Sequence, residues 1–144
     1  MQPINTNIKR WAVCYVSSAA PSLNEKDVDK ILSWTQSWNA EHKLTGLLLY
    51  SDGNFFQVIE GEMNTVKNLF NNICNDTRHH NLIKIFYKEI EKNSFEFYES
   101  NFISKRSKNL NHEDVPYLKC LKTLDQSSQK AVRNILNAFH SDNF

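Results

Sequence analysis

Leu44-Thr45-Gly46-Leu47-Leu48-Leu49-Tyr50-Ser51-Asp52-Gly53-Asn54-Phe55-Phe56-Gln57-Val58-Ile59-Glu60-Gly61 decides the fold. It reads as two apolar strands, about Thr45 to Tyr50 and Phe55 to Ile59, joined at Asp52-Gly53. That dipeptide suits a hairpin turn whose central residues both need positive φ. In the second strand one amide, Gln57, stands among Phe55, Phe56, Val58 and Ile59. A buried amide without partners costs about 1–3 kcal/mol. Turning it over exchanges its donor and acceptor ends. A lone Gln in such a strand is therefore either an expense or a switch with something to address.

Upstream, Trp11 to Ser17 alternates, with Trp11, Val13 and Tyr15 on one side and Ala12, Cys14 and Val16 on the other. Ser22 and Glu25 are spaced as a capping box. The helix after them carries Val28, Ile31, Leu32, Thr35 and Trp38/Asn39 on one face and ends near Ala40 to His42. Downstream, Gly61 punctuates, and Val66, Leu69, Phe70 and Ile73 mark a second helix. Strands are expected at about Leu82 to Ile90 and Phe95 to Phe102. The order βαββαββ predicts an α+β fold, a ferredoxin-like sheet with two helices on one face. Residues 1–103 read as one domain. Residues 104–144 read as a linker (Ser104 to Asn111) and a C-terminal helical extension. The extension has a short helix over Val115 to Lys122, with Pro116 in its first turn, and a last helix capped by Asp125. The stripe Ala131, Val132, Ile135, Leu136 and Phe139 needs a surface, either the bare sheet face or a partner chain.

Bulk properties narrow the function. The chain has 144 residues, 40% of them apolar, and a formal charge of +1. Such a balance gives no general attraction to nucleic acid or anionic membranes. Lys105-Arg106-Ser107-Lys108 reads as a solvated loop. No apolar run resembles a signal peptide or is long enough to span a bilayer, so a cytoplasmic protein is expected. Cys14, Cys74 and Cys120 have no metal or redox spacing and read as reduced, mostly packed thiols.

Three polar side chains fall on inward faces: Tyr15, Asn39 and Gln57. Each has a plain structural reading: a Tyr hydroxyl on a nearby carbonyl, an Asn at a helix C-terminus, a satisfied core Gln. Together they suit a polar lining for a small flat ligand. In a ferredoxin-like sheet the first and third strands are neighbours, so Tyr15 and Gln57 are expected to meet under the helices. Asp76, Arg78, His79 and His80 follow the second helix. They read as a structural Asp–Arg pair in a polar loop, or as a rim for a ribityl chain or phosphate. No Cys or Glu completes a metal set, so no metal is expected.

The blocks Tyr15-Val16-Ser17-Ser18-Ala19, Asn39, Leu44 to Tyr50, Phe55 to Glu62 and Asp76 to His80 together resemble the BLUF domain, a blue-light sensor using flavin. The resemblance runs from about Arg10 to Phe102. It implies a photoactive pair, Tyr15 and Gln57, and flavin contacts from Ile31, Thr35, Asn39, Phe55, Gln57, Ile73, Asp76, Arg78 and His79, with Ile31 and Ile73 sandwiching the ring. FAD is the implied cofactor, with FMN or riboflavin as alternatives. By the family's scheme an electron and a proton pass from Tyr15 to the flavin by way of Gln57 and then return. Gln57 is left rotated or tautomerised, with its hydrogen bonds rearranged. Strand five departs from the family, since Tyr98 stands for its Trp and Ser100 for its Met. These two are the implied signal-transmission positions, and Ser100 can hydrogen-bond Gln57 in one state. Thr35-Gln36 stands for the usual Ser-Arg pair. The implied protein is a photoreceptor and not an enzyme. Its signal is expected to leave through an unidentified protein partner or a homo-oligomer, because no output domain is seen before residue 144. Two rivals are a light-blind ferredoxin-like interaction module and a small acyl-phosphate-type hydrolase, the latter opposed by the lack of a Gly-rich anion loop before the first helix.

Overall fold

A computed structural model describes residues 9–90, 102–110 and 124–140. Five strands form one sheet: β1 (Arg10–Ala19), β2 (Thr45–Ser51), β3 (Asn54–Glu62), β4 (His79–Ile90) and β5 (Phe102–Arg106). Helices α1 (Glu25–Glu41) and α2 (Met63–Cys74) connect β1 to β2 and β3 to β4, and α3 (Gln126–His140) closes the described chain. The strand order is β4-β1-β3-β2-β5, with β5 parallel to β2 and every other pairing antiparallel. The first four strands have the ferredoxin-like arrangement that the order of elements predicts, with β1 and β3 adjacent at the centre.

The hairpin sets the register. Asp52 (φ 46°) and Gly53 (φ 81°) both have positive φ, as a two-residue turn of this hand requires. Gly46 (φ 131°) lies so close to β3 that a Cβ there would stand 2.0 Å from the Val58 carbonyl oxygen. Each face of the sheet has its own core. Val13, Tyr15, Leu48, Phe55 and Ile59 pack under α1 and α2, against Val28, Leu32, Val66, Leu69 and Phe70. Ala12, Cys14, Leu47, Leu49, Phe56 and Val58 pack on the opposite side, where Leu124, Val132 and Leu136 cover them. The amphipathic stripe of α3 thus lies on the sheet face that α1 and α2 leave bare. Asp125 caps α3, accepting from Ser128 N at 2.8 Å, and pairs with Lys88 of β4.

Local features depart from the sequence reading at several points. The α1 capping box is Asn24 with Asp27, not Ser22 with Glu25. Leu23 N–H bonds to the Ala20 carbonyl, so Ser22 lies inside a turn and the helix starts after it. β3 continues through Gly61 to Glu62, whose carboxylate caps α2 directly by accepting from Asn64 N and Thr65 N. β4 begins at His79, because Ala19 of β1 pairs with it. Residues 104–106, read as the start of a linker, belong to β5, and Ser107–Asn109 form a 3-10 turn. Within the basic cluster Arg106 is no solvated side chain: it bonds Glu25 and Asp29 of α1 and stacks over Tyr50. Cys14 is buried, and burial pushes its thiol up to about 12; Cys74 is exposed rather than packed. Cys120, the expected helix at Val115 to Lys122 and the strand positions Phe95 to Asn101 lie outside the described residues.

Gly46 in β2 and Gly53 in the hairpin turn differ in surroundings, which gives a graded expectation. Gly46→Ala is strained and also collides with backbone, so it costs more than about 3 kcal/mol. Gly53→Ala has open space and costs about 1–2 kcal/mol, the left-handed penalty alone. Urea denaturation of both variants checks the order.

Candidate functional site

β1 and β3 place Tyr15 and Gln57 directly opposite each other. Both face α1 and α2, because the side-chain period of 2 puts them in register with Val13 and Ile59. The Tyr15 hydroxyl donates to Gln57 Oε1 at 2.5 Å, and each residue is nearly inaccessible to water. The phenol takes the Gln amide rather than a backbone carbonyl. Burial pushes its pKa far up, with Asp76 adding to the effect, so it holds its proton across the physiological range. β1 slips register against β4 on both sides of this position, between Cys14 and Tyr15 and between Val16 and Ser18.

Above the pair, a cavity of ≈ 320 Å³ opens between α1 and α2. The sequence reading names ten of its lining residues: Tyr15, Ile31, Thr35, Asn39, Phe55, Gln57, Ile73, Asp76, Arg78 and His79. Ile31 enters from α1 and Ile73 from α2, so two branched aliphatic side chains belong to the two helices that flank the opening. The volume falls at the lower end of the range for small-molecule pockets, and apolar and polar side chains share the lining about equally.

Asn39 is the informative polar group. The C-cap of α1 is His42, so Asn39 lies in the last turn of the helix but is not its cap. Its side chain is 1% exposed, and neither Nδ2 nor Oδ1 has a partner among the described residues. A donor and an acceptor are therefore held side by side on the cavity wall, buried and without a partner among the described residues. The loop after α2 supplies the opposite rim. Arg78 grips Asp76 with Nε at 3.0 Å from both carboxylate oxygens and Nη2 at 2.6 Å from Oδ2. These bonds hold the Asp76 carboxyl below the usual carboxylate range and raise Arg78. The structural Asp–Arg pair is thus present, and the same pair borders the cavity.

His79 is engaged twice. One ring nitrogen, Nε2, lies 2.6 Å from the Ile73 carbonyl oxygen, and Nδ1 lies 2.7 Å from Ser17 Oγ. A carbonyl only accepts, so in the neutral ring Nε2 carries the hydrogen and Nδ1 accepts from the serine hydroxyl. The imidazole therefore staples the last turn of α2 to β1, edge-on to Tyr15 and Phe55.

Five lining residues are absent from the expected contact set: Trp34, Trp38, Leu48, Leu69 and Asn72. Leu48 and Leu69 were legible as inward positions by period alone. Trp38 falls on the inward face of α1 and stacks on His42 at 3.7 Å and on Trp34 at 5.9 Å, contacts that the i, i+4 spacing of the three residues allows. Asn72 points from the exposed side of α2 and gave no periodic signal. Tyr98 and Ser100 lie outside the described residues. No group of three or more His, Cys, Asp or Glu suited to a metal occurs among the described residues.

Known proteins with these features bear on the whole arrangement. The family described as BLUF, sensors of blue-light using FAD, matches residues 11–101. The blue light- and temperature-regulated antirepressor BluF of Escherichia coli (strain K12) is 33% identical over 60 residues, covering 42% of this chain and 15% of that protein. The photoactivated adenylate cyclase subunit beta of Euglena longa is 30% identical over 81 residues, covering 56% of this chain and 9% of that protein. The chain thus spans only a small part of the length of these curated relatives. The solved structure titled "BlsA photo-activated state" superposes with a TM-score of 0.57 at 25% identity, covering 92% of this chain and 95% of that one. With the Tyr–Gln pair in place beneath a cavity flanked by two helices, this chain belongs to the BLUF family of flavin-using blue-light sensors.

Proposed function

We propose that the cavity between α1 and α2 holds a flavin, FAD in preference to FMN or riboflavin, and that Tyr15 and Gln57 form the light switch. The observation that carries this reading is Asn39: neither end of its buried amide has a partner among the described residues, and the residue lines the cavity. A flavin's pyrimidine edge, with an imide N–H between two carbonyls, offers the acceptor and donor that such an amide needs. Ile31 and Ile73 would clasp the ring, Thr35, Phe55 and Gln57 would complete its pocket, and Asp76, Arg78 and His79 would border it at the rim. On absorbing blue light, a bound flavin becomes a strong one-electron oxidant. The chain supplies the rest. Tyr15 would be the electron and proton donor, since its hydroxyl already donates to Gln57 Oε1, and both return to it as the Gln57 hydrogen bonds rearrange. When the Gln57 amide turns over, its N–H group faces the phenol oxygen and its carbonyl faces the cavity, so the hydrogen bonds along that wall are exchanged.

Such a protein consumes no substrate, which favours a sensor over an enzyme, with the signal passed to another protein or to a second copy of this chain. No helix among the described residues is long and apolar enough to cross a membrane, and a cytoplasmic location agrees with that.

The absorption spectrum before and after blue illumination tests the reading: purified protein is yellow and its flavin band shifts reversibly. Tyr15→Phe and Gln57→Leu each retain flavin and lose the shift; a normal shift in either variant rejects its assigned role. Asn39→Leu separates ligand recognition from folding, because its two effects have opposite signs. It raises the unfolding free energy of the flavin-free protein by about 1 kcal/mol, since an unpaired buried amide is removed. It weakens flavin binding by about tenfold or more, the loss of one or two hydrogen bonds. Denaturation of the flavin-free protein and a fluorescence titration measure the two effects.

A further inference from the structure

Ser104 of β5 carries a second unpaired polar group on the same side of the sheet as Gln57. The register runs Tyr15, Gln57, Leu48, Ser104 across β1, β3, β2 and β5. Paired residues share a face, and Leu48 and Phe102 both belong to the core under α1 and α2. Gln57 and Ser104 are thus two strands apart, roughly 10 Å by strand spacing, with Leu48 between them. Leu48 itself lines the cavity. Ser104 is 8% exposed, and its hydroxyl has no partner among the described residues.

The backbone of the same residue is held from α1. Gln36 Oε1 accepts from Ser104 N–H at 3.0 Å. Gln36 follows Thr35, which faces the cavity, and stands one helical turn before Asn39. One side chain therefore ties the cavity-lining helix to the edge strand. Two arrangements of this contact are open to it. In the observed one, the Ser104 amide is satisfied and its hydroxyl is not. With the Gln36 amide turned so that Nε2 donates to the Ser104 hydroxyl, the hydroxyl is satisfied and the amide is not. Each arrangement leaves one polar group of Ser104 unpaired, so the two lie close in free energy and a small push decides between them.

We infer that Gln36 and Ser104 form a polar latch between α1 and β5 that reads the state of Gln57 and Asn39 and passes it to β5. β5 runs without a break into the 3-10 turn at Ser107–Asn109, which touches α3, so a shift there reaches the far face of the sheet. The inference rests on the flavin-sensor reading and moves the strand-five reporter from Tyr98 and Ser100 to Ser104.

Hydrogen exchange at the Ser104 amide, followed by NMR on the full chain with flavin bound, tests it in darkness and under continuous blue light. The flavin absorption is recorded in the same sample. The expected result is an amide that exchanges about threefold to tenfold faster in the light, the loss of one hydrogen bond. Ser104→Ala lacks the alternative acceptor, so it keeps the absorption shift and loses the light dependence of exchange. Gln36→Leu, at an exposed position, exchanges rapidly in both conditions. An unchanged Ser104 amide beside a normal absorption shift overturns the latch alone, as does a wild-type light response in Ser104→Ala. A missing absorption shift in the wild type overturns the flavin-switch reading, and the latch with it.

Discussion

The hydrogen bond from the Tyr15 phenol to the Gln57 amide is the constraint around which the central sheet is arranged. It exists only because β1 and β3 pair in one register, with Tyr15 opposite Gln57. A slip of one residue would send Gln57 to the face covered by α3 and bring Phe56 or Val58 under α1 and α2. The hairpin prevents the slip. Its turn needs the two positive-φ residues that Asp52 and Gly53 supply, and Gly46 lets β2 approach the Val58 carbonyl more closely than any side chain allows. Backbone chemistry at three positions thus aims one side chain.

The polar groups in the cavity fall into two kinds. Gln57 Oε1, His79 and the Asp76–Arg78 pair have hydrogen-bond partners within the protein, so they hold a geometry. The Asn39 amide has no partner among the described residues, so on the proposed reading it is where a flavin would contribute most. A buried amide without a partner costs stability that a bound ligand would restore, which on this reading would couple flavin affinity to folding. His79 has a different part: by bonding both the Ile73 carbonyl and the Ser17 hydroxyl it fixes the distance between the α2 side of the cavity and the strand that carries Tyr15.

Much of this was legible in the sequence because period and turn chemistry act locally. The alternation of Trp11 to Val16 assigned the two faces of β1, and Asp52-Gly53 announced the hairpin. The inward places of Tyr15, Ile31, Asn39, Gln57 and Ile73 followed from spacing. Three things were not legible. The N-terminus of α1 depended on a turn at Ala20 to Leu23 that competes for Ser22, a contest between neighbouring caps that composition does not settle. The extent of β5 depended on pairing with β2, a long-range contact, so Ser104 to Arg106 looked like polar linker when read alone. Arg106 looked solvated because its acidic partners, Glu25 and Asp29, lie far away in sequence on α1. The rim residues Trp34 and Asn72 belong to the same class: only the crossing of two helices over the sheet brings them to one opening.

The size of the trigger limits how the switch can work. One rearranged hydrogen bond contributes about 0.5–1.5 kcal/mol, at most about a tenfold change in a two-state ratio. Inverting a population from one part in a hundred to its reverse needs about 5.5 kcal/mol. Turning over Gln57 alone therefore cannot drive a decisive change. The requirement falls if several polar contacts exchange together, or if the responding element starts near balance. The cavity wall meets the first condition, because Tyr15, Gln57 and Asn39 face one space and a turn of one amide alters what the others can bond. The contact between Gln36 and Ser104 meets the second, because either arrangement leaves one group unpaired and neither is strongly preferred. Leu48, in register between Gln57 and Ser104, is packed too tightly to absorb a displacement on one side without passing it to the other. A small exchange of hydrogen bonds at the centre of the sheet can thus act on an element at its edge that is already poised.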